Sequence, residues 1–108
     1  MATIIKRLFG PLQVSNSATT RYTVPASTKA RIRHVHIQNP SGSAVTFTMS
    51  IGSDAAATRL YDAFSVAANS IRDDFMDQAL EPAEILQTNA GTNNVLVVSV
   101  SGEERPIG

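Results

Sequence analysis

The chain has 108 residues, neither cysteine nor tryptophan, and a formal net charge of zero. This length corresponds to one domain, and the lack of cysteine excludes disulfides, thiolate catalysis and cysteine-ligated metal centres. A neutral chain lacks the net basic surface of a nucleic-acid-binding protein, and no apolar run approaches the roughly 20 residues of a membrane span, so we expect neither nucleic acid nor membrane as a partner.

The composition favours strands over helices. Hydrophobic residues make up 43% of the chain and charged residues 17%, while serine and threonine together occupy 21 positions. Exposed helix faces usually carry many Glu, Lys and Arg residues, whereas hydroxyl side chains suit the outer faces of sheets. The N-terminal charges follow a short apolar stretch without a small-residue cleavage site, so we expect neither a secretory signal nor an anchor.

Charge is unevenly distributed along the chain. Residues 1–53 carry six basic residues and no acidic one, whereas residues 54–108 carry three basic residues and nine acidic ones. Two interpretations remain open: the halves pair with each other within one folded sheet, or a basic patch on one subunit faces an acidic patch on the next. The first needs no specific partner, as is usual for surface charges.

Residues 1–20 differ from the rest of the chain. Their apolar side chains are interrupted by a Gly-Pro pair, and residues 15–20 are polar, as is typical of a linker. We expect residues 1–20 to be an N-terminal arm and linker, and residues 21–108 to be the folded β-sandwich domain. An apolar arm must bury its side chains, either against its own sandwich or against a neighbour.

The clearest strand signals lie at residues 30–39 and 44–51. The first segment is rich in β-branched residues, and the second alternates apolar side chains with threonine and serine at period two. Between them, residues 39–43 form a turn cluster that contains proline and glycine. Two strands joined by such a turn predict a β-hairpin.

A second hairpin is predicted near the C-terminus. Residues 84–88 and 94–101 are both strand-like, and a segment rich in glycine and asparagine joins them. In the second strand, period-two alternation places Leu96, Val98 and Val100 on the core side.

Further short strands are predicted at residues 22–24, 60–61, 64–66 and 70–75, with a turn about every ten residues and almost no helix. The sequence therefore predicts an all-β fold. We expect an antiparallel β-sandwich of jelly-roll or immunoglobulin-like type, with an extended N-terminal arm.

His34 and His36 are the most suggestive candidates for metal chemistry. Strand residues two apart point to one face, so the two imidazoles form half of a possible metal site. A cupin would add a glutamate a few residues later and a third histidine, but the next acidic residue is Asp54 and the chain has two histidines in all. We therefore expect two neutral histidines on a sheet face or at a subunit contact.

The remaining candidates predict no chemistry. Asp73, Asp74 and Asp77 form the densest acidic cluster, but they lack the spacing of an EF-hand. Arg31 and Arg33 share one strand face and could touch phosphate, yet few aromatic residues accompany them. The chain also lacks a G-x-S-x-G elbow and a glycine-rich phosphate loop. We predict no catalytic residue, no cofactor and no metal ion, and hence no enzyme.

Several segments resemble a widespread group of small structural proteins of tailed bacteriophages. These segments are YTVPA (22–26), RHVHIQNPSGSAVTF (33–47) and VVSVSG (97–102), together with LYDAFSVAAN (60–69) and LEPAEILQ (80–87). The resemblance covers roughly residues 8–105 and consists of strand and turn motifs.

This resemblance implies an accessory virion protein. It would be a capsid decoration or cement protein, or a small tail or head–tail component, made in the host cytoplasm and located on the capsid surface or in the head–tail region. Its partners would be the major capsid protein or other virion proteins and copies of itself, with a trimer favoured.

The residues themselves point to a compatible mechanism, which is binding through the apolar arm and the charged strand face. Exposed strand edges need protection, and assembly through them is one way to provide it. A carbohydrate- or receptor-binding module is the alternative, and it would need exposed aromatic side chains. The predicted interface residues are Ile4, Ile5, Lys6, Arg7, Leu8, Phe9, Leu12, Arg31 and Arg33.

Overall fold

The computed structural model describes residues 3–107, which contain eight β-strands and no helix. The predicted all-β class is therefore confirmed. In keeping with this, the described residues include no helix long and apolar enough to cross a membrane. The strands are β1 (Ile4–Gln13), β2 (Thr19–Thr23), β3 (Thr28–Asn39), β4 (Val45–Ile51), β5 (Arg59–Val66), β6 (Ser70–Leu80), β7 (Ile85–Ala90) and β8 (Val97–Pro106).

The strands form two four-stranded sheets, sheet I with the order β1-β8-β3-β6 and sheet II with the order β2-β7-β4-β5. Four nested antiparallel pairs explain this order: β1 with β8, β2 with β7, β3 with β6, and β4 with β5. A single antiparallel ribbon, folded so that its pairs alternate between two sheets, gives this arrangement. It is the pairing of a jelly roll, one of the two predicted types of sandwich.

The hydrophobic core lies between the two sheets, because alternation at period two turns every other side chain of a strand inward. Leu96, Val98 and Val100 are fully buried, as the sequence predicted. The largest fully buried side chains come from both sheets and include Phe47, Ile32, Ile37, Met49, Leu80 and Leu86.

The predicted hairpin between residues 30–39 and 44–51 does not form. Strand β3 belongs to sheet I and β4 to sheet II, so the turn between them crosses from one sheet to the other. Asn39 holds this crossing from a fully buried position. Its Nδ2 donates to the carbonyl oxygens of Ser43 (2.8 Å) and Val66 (2.9 Å). Its Oδ1 accepts from the backbone N–H of Ser41 (3.0 Å).

The second predicted hairpin is also wrong, because β7 lies in sheet II and β8 in sheet I. The last residue of β7 and the segment after it bond to the chain that follows β1. The backbone N–H of Ala90 donates to the carbonyl of Ser15 (3.0 Å), and that of Asn94 donates to the carbonyl of Val14 (2.9 Å). In place of a hairpin partner, β7 pairs with β2 and β4, and β8 pairs with β1 and β3.

The segment that the sequence analysis described as an arm forms a strand of the sandwich. Residues Ile4–Gln13 form β1, an edge strand of sheet I that pairs with β8 along its length. Leu8, Phe9 and Val14 are buried in the core of the same chain. Of the two alternatives left open for the apolar side chains of this segment, the structure has burial against the chain's own sandwich for Leu8, Phe9 and Val14.

Candidate functional site on the outer face of sheet I

Strand β3 lies between β8 and β6 and carries a row of polar side chains across the outer face of sheet I. A register shift between Ile32 and His34 interrupts its pairing with both neighbours. An extra residue in a strand moves the following side chains to the opposite face. Arg31 and Arg33 are exposed before the shift, and His34 and His36 are partly exposed after it. All four therefore share the outer face.

The arginines of β3 pair with acidic residues on both adjacent strands. Arg31 Nε lies 2.9 Å from Asp77 Oδ1 on β6, and Arg33 Nη1 lies 3.1 Å from Glu103 Oε1 on β8. Basic strand β3 thus sits between acidic partners from the C-terminal half of the chain, so internal pairing describes these charges. Exposed pairs of this kind contribute at most about 1 kcal/mol each. A subunit contact at Arg31 or Arg33 would compete with these pairs.

The two histidines converge on one carboxylate. His34 Nε2 lies 2.9 Å from Asp73 Oδ1, and His36 Nδ1 lies 2.6 Å from the same oxygen. Hydrogen bonds from His36 and, next in size, from His34 hold the pKa of Asp73 below its usual range. The carboxylate is therefore ionised at neutral pH, and both imidazoles are fixed on the same side of the sheet.

The sequence showed the two histidines but not their partner. Asp73 was noted only as part of an acidic cluster, because no motif links it to residues nearly forty positions earlier. The antiparallel pairing of β3 with β6 brings it there, with His36 and Asp73 directly opposite each other. No spacing in the sequence predicted a third ligand type beside the histidines, and strand pairing supplies one in Asp73.

Two exposed apolar side chains, Ile71 and Phe75, lie on either side of Asp73 along edge strand β6. Phe75 is 81% exposed and Ile71 is 62% exposed. The Phe75 ring stacks on the His34 ring, with 4.6 Å between centroids and 15° between planes. The sequence analysis did not single out either residue, because apolar side chains in a strand normally indicate the core.

The predicted interface residues near the N-terminus fall into two groups. Ile4 and Ile5 are exposed on edge strand β1, Ile5 at 86%, and the basic pair that follows them is exposed as well. Leu8 and Phe9 are buried, and Leu12 is partly buried against the same core. Only the first group lies on the surface of the chain; the second is used within the fold.

Both tyrosines are buried between the sheets and bound to carboxylates. The Tyr22 hydroxyl on β2 donates to Glu104 on β8, which also lies 3.5 Å from Lys6 Nζ. The Tyr61 hydroxyl on β5 donates to a carboxylate oxygen of Asp74 on β6, with 2.5 Å between the two oxygens. Burial, and then the bonded carboxylate, raise the pKa of each tyrosine. These pairs join the two sheets and leave neither tyrosine free for a ligand.

Comparison with known proteins gives similarities of fold only. No model of a known protein family matches the chain, and no curated protein matches it either. Among solved structures, two of the coat protein of Tobacco streak virus are similar, one in a C2 crystal form and one described as a dimer. Each has 10% identity and covers 98% of this chain, with 88% and 86% of the viral chain covered and TM-scores of 0.47 and 0.48.

A third similar structure is that of infectious bursal disease virus, Gx strain. It has 11% identity, 95% of this chain and 30% of the viral chain covered, and a TM-score of 0.43. All three similarities are weak, and none shows a family for this chain.

Proposed function

We propose that this chain is a structural protein of a virion and acts by binding, without catalysis. The observation that carries the proposal is the exposure of large apolar side chains at both edges of sheet I. Ile4 and Ile5 lie on β1 at one edge, and Ile71 and Phe75 lie on β6 at the other. Single-chain proteins usually protect such edges with charge, short strands or a covering segment.

Burial of these side chains supplies the binding energy. An isoleucine or phenylalanine side chain that becomes fully covered contributes about 1.5–3 kcal/mol. Many copies on a symmetric particle turn weak contacts of this size into stable attachment through avidity. Leu8 and Phe9 are buried in the core of their own chain. The contact with a neighbour is therefore made by the two edges of sheet I rather than by an inserted arm.

The resemblance in the strand and turn motifs supports a tailed bacteriophage as the source. Within that class, a capsid decoration or cement protein is the role we favour, with the major capsid protein and further copies of this chain as partners. The alternative role is that of a small tail or head–tail component, in which the chain would use the same surface at another place on the particle.

A cryo-electron microscopy map of the particle that contains this protein tests the proposal. We expect density for the eight-stranded sandwich at regular positions on the head, with the β1 or β6 edge of sheet I against a neighbour. Density confined to the tail or to the head–tail junction would select the alternative location. A map in which both edges of sheet I face solvent would contradict the proposal.

A carbohydrate-binding module of the virion is the second candidate, and one observation favours it. Sugar sites use exposed aromatic faces, and Phe75 is such a side chain. Glycan-array binding by the wild-type chain that disappears in Phe75→Ala would support this candidate. Binding at background level would remove it.

A further inference from the structure

His34, His36 and Asp73 bring together three atoms of the types that transition metals bind. Two imidazole nitrogens and one carboxylate oxygen lie within 4.8 Å of one another. We propose that this cluster is a binding site for one divalent transition-metal ion, with Zn²⁺ as the ion that fits best. Two histidines and one carboxylate, with a further position open, form a donor set that such ions accept.

The three ligands are held on a rigid support. His34 and His36 are two apart on β3, and Asp73 lies opposite His36 on the adjacent strand β6. Strand pairing fixes the spacing of these positions more firmly than a loop would. Phe75 adds a further constraint, because its ring stacks on His34 and limits the tilt of that imidazole.

The distances are close to those of a bound ion. Zinc–nitrogen and zinc–oxygen bonds of roughly 2.0–2.2 Å place tetrahedral ligand atoms about 3.3 Å apart. His34 Nε2 and His36 Nδ1 lie 2.9 and 2.6 Å from Asp73 Oδ1, which are hydrogen-bond distances. Each nitrogen needs to move about half an ångström away from Asp73 Oδ1, and the two nitrogens, which lie within 4.8 Å of each other, need to come closer together. The partial exposure of the two imidazoles on the sheet surface leaves room for this movement.

The hydrogen bonds also identify the nitrogens that would bind the ion. An ionised carboxylate only accepts, so each ring nitrogen facing Asp73 Oδ1 carries the proton in the metal-free chain. The metal ion takes the place of the proton on each of these two nitrogens. A bound imidazole then keeps its one proton on the other ring nitrogen. The fourth position faces solvent and is filled by water or by a group from another molecule.

Isothermal titration calorimetry with ZnCl₂ tests the proposal, using the full chain without a histidine tag and freed of metal by a chelator. We expect saturable binding of one ion per chain. His34→Gln and His36→Gln remove a ligand and should weaken binding by more than the 10–100-fold that the loss of an outer-shell partner costs. Asp73→Asn should weaken it as well.

Asp77→Asn is the matched control, because Asp77 is an exposed acid on the same strand that pairs with Arg31 and not with the histidines. It should bind zinc as the wild type does. The Co²⁺-loaded chain should show the visible absorption of a nitrogen- and oxygen-ligated ion, and His36→Gln should lose it. Thermal melting of each variant checks that the surface substitutions leave the fold intact.

Two results would overturn the proposal. One is the absence of saturable zinc binding by the wild type up to about 1 mM, the weak end of ordinary ligand affinity. The other is binding that is equal in the wild type and in folded His34→Gln and His36→Gln. Neither result bears on the virion role, which depends on the apolar edges of sheet I.

Discussion

The Tyr22 hydroxyl on β2 donates a hydrogen bond to the carboxylate of Glu104 on β8, so one bond joins sheet II to sheet I. Tyr61 on β5 and Asp74 on β6 form the equivalent bond elsewhere in the sandwich. A hydrogen-bonded polar pair inside a protein has one good geometry and adds to the specificity of the apolar packing. These two pairs therefore fix how the sheets face each other.

The first prediction concerns pH. Folding raises the pKa of both tyrosines, mainly through burial and then through the neighbouring carboxylates. A phenol in the unfolded chain titrates near pH 10. The folded state therefore gains stability from the neutral phenols below about pH 10, and this contribution is lost as the pH rises further.

Absorbance at 295 nm measures this directly, because the chain has two tyrosines and no tryptophan. We expect phenolate absorbance to appear together with the loss of near-ultraviolet circular dichroism, well above pH 10. Tyr22→Phe and Tyr61→Phe assign the contribution of each tyrosine to the change in absorbance. Ionisation near pH 10 in a chain that is still folded would show that the tyrosines are solvated.

The second prediction concerns Asn39. Replacement by alanine removes the Asn39 donor from the buried carbonyl oxygen of Val66, whereas the Ser43 carbonyl still accepts from Ser41 Oγ. A buried polar group left without its partner costs about 1–3 kcal/mol of unfolding free energy. Urea unfolding should show this loss for Asn39→Ala, and the exposed neighbour variant Gln38→Ala should differ little from wild type. Equal midpoints for the two variants would contradict the role of Asn39.

The third prediction concerns Gly102. It lies in β8 opposite Ile32, where a Cβ would collide with the carbonyl oxygen of Arg31. Gly102→Ala should therefore lower stability by about 1–3 kcal/mol or more, the usual range for overpacking. Gly42→Ala is the control, because nothing lies within 4 Å of a Cβ there. A Gly102→Ala variant with the melting temperature of the wild type would contradict this prediction and show that the two strands can move apart at little cost.

The fourth prediction compares two truncations. Removal of residues 1–5 takes away Ile4 and Ile5, which are exposed, and should leave a folded chain that associates less. Removal of residues 1–13 also takes away Leu8 and Phe9 from the core and exposes the edge of β8. We expect this second chain to be unfolded, as measured by circular dichroism, or aggregated, as measured by light scattering. A well-folded chain lacking residues 1–13 would restore the view of this segment as a separate arm.

Alternation in the sequence determines much of this structure but not all of it. It predicted the all-β class and the buried faces of segments such as Leu96, Val98 and Val100. Period two reports which face a residue occupies and carries no information on which strand lies alongside. Both predicted hairpins were wrong for that reason, because a turn between two strands consecutive in the sequence was interpreted as evidence that they pair.

The same limit applies to the candidate site. The spacing of His34 and His36 placed both imidazoles on one face, as the structure has them. Asp73 could be assigned to them only after β6 was known to pair with β3. Phe75 was missed for another reason, because an exposed apolar residue in a strand has the same sequence signal as a core residue.

The molar mass of the purified chain in solution tests most directly whether copies associate through the apolar edges of sheet I. Light scattering should give a wild-type mass above the 11.5 kDa of one chain and rising with concentration. The double variant Ile71→Ser with Phe75→Ser should return to the mass of one chain. Ile107→Ser alters an exposed isoleucine outside the strands and should behave as wild type. A wild type that stays at the single-chain mass at every concentration, indistinguishable from the double variant, would contradict the account.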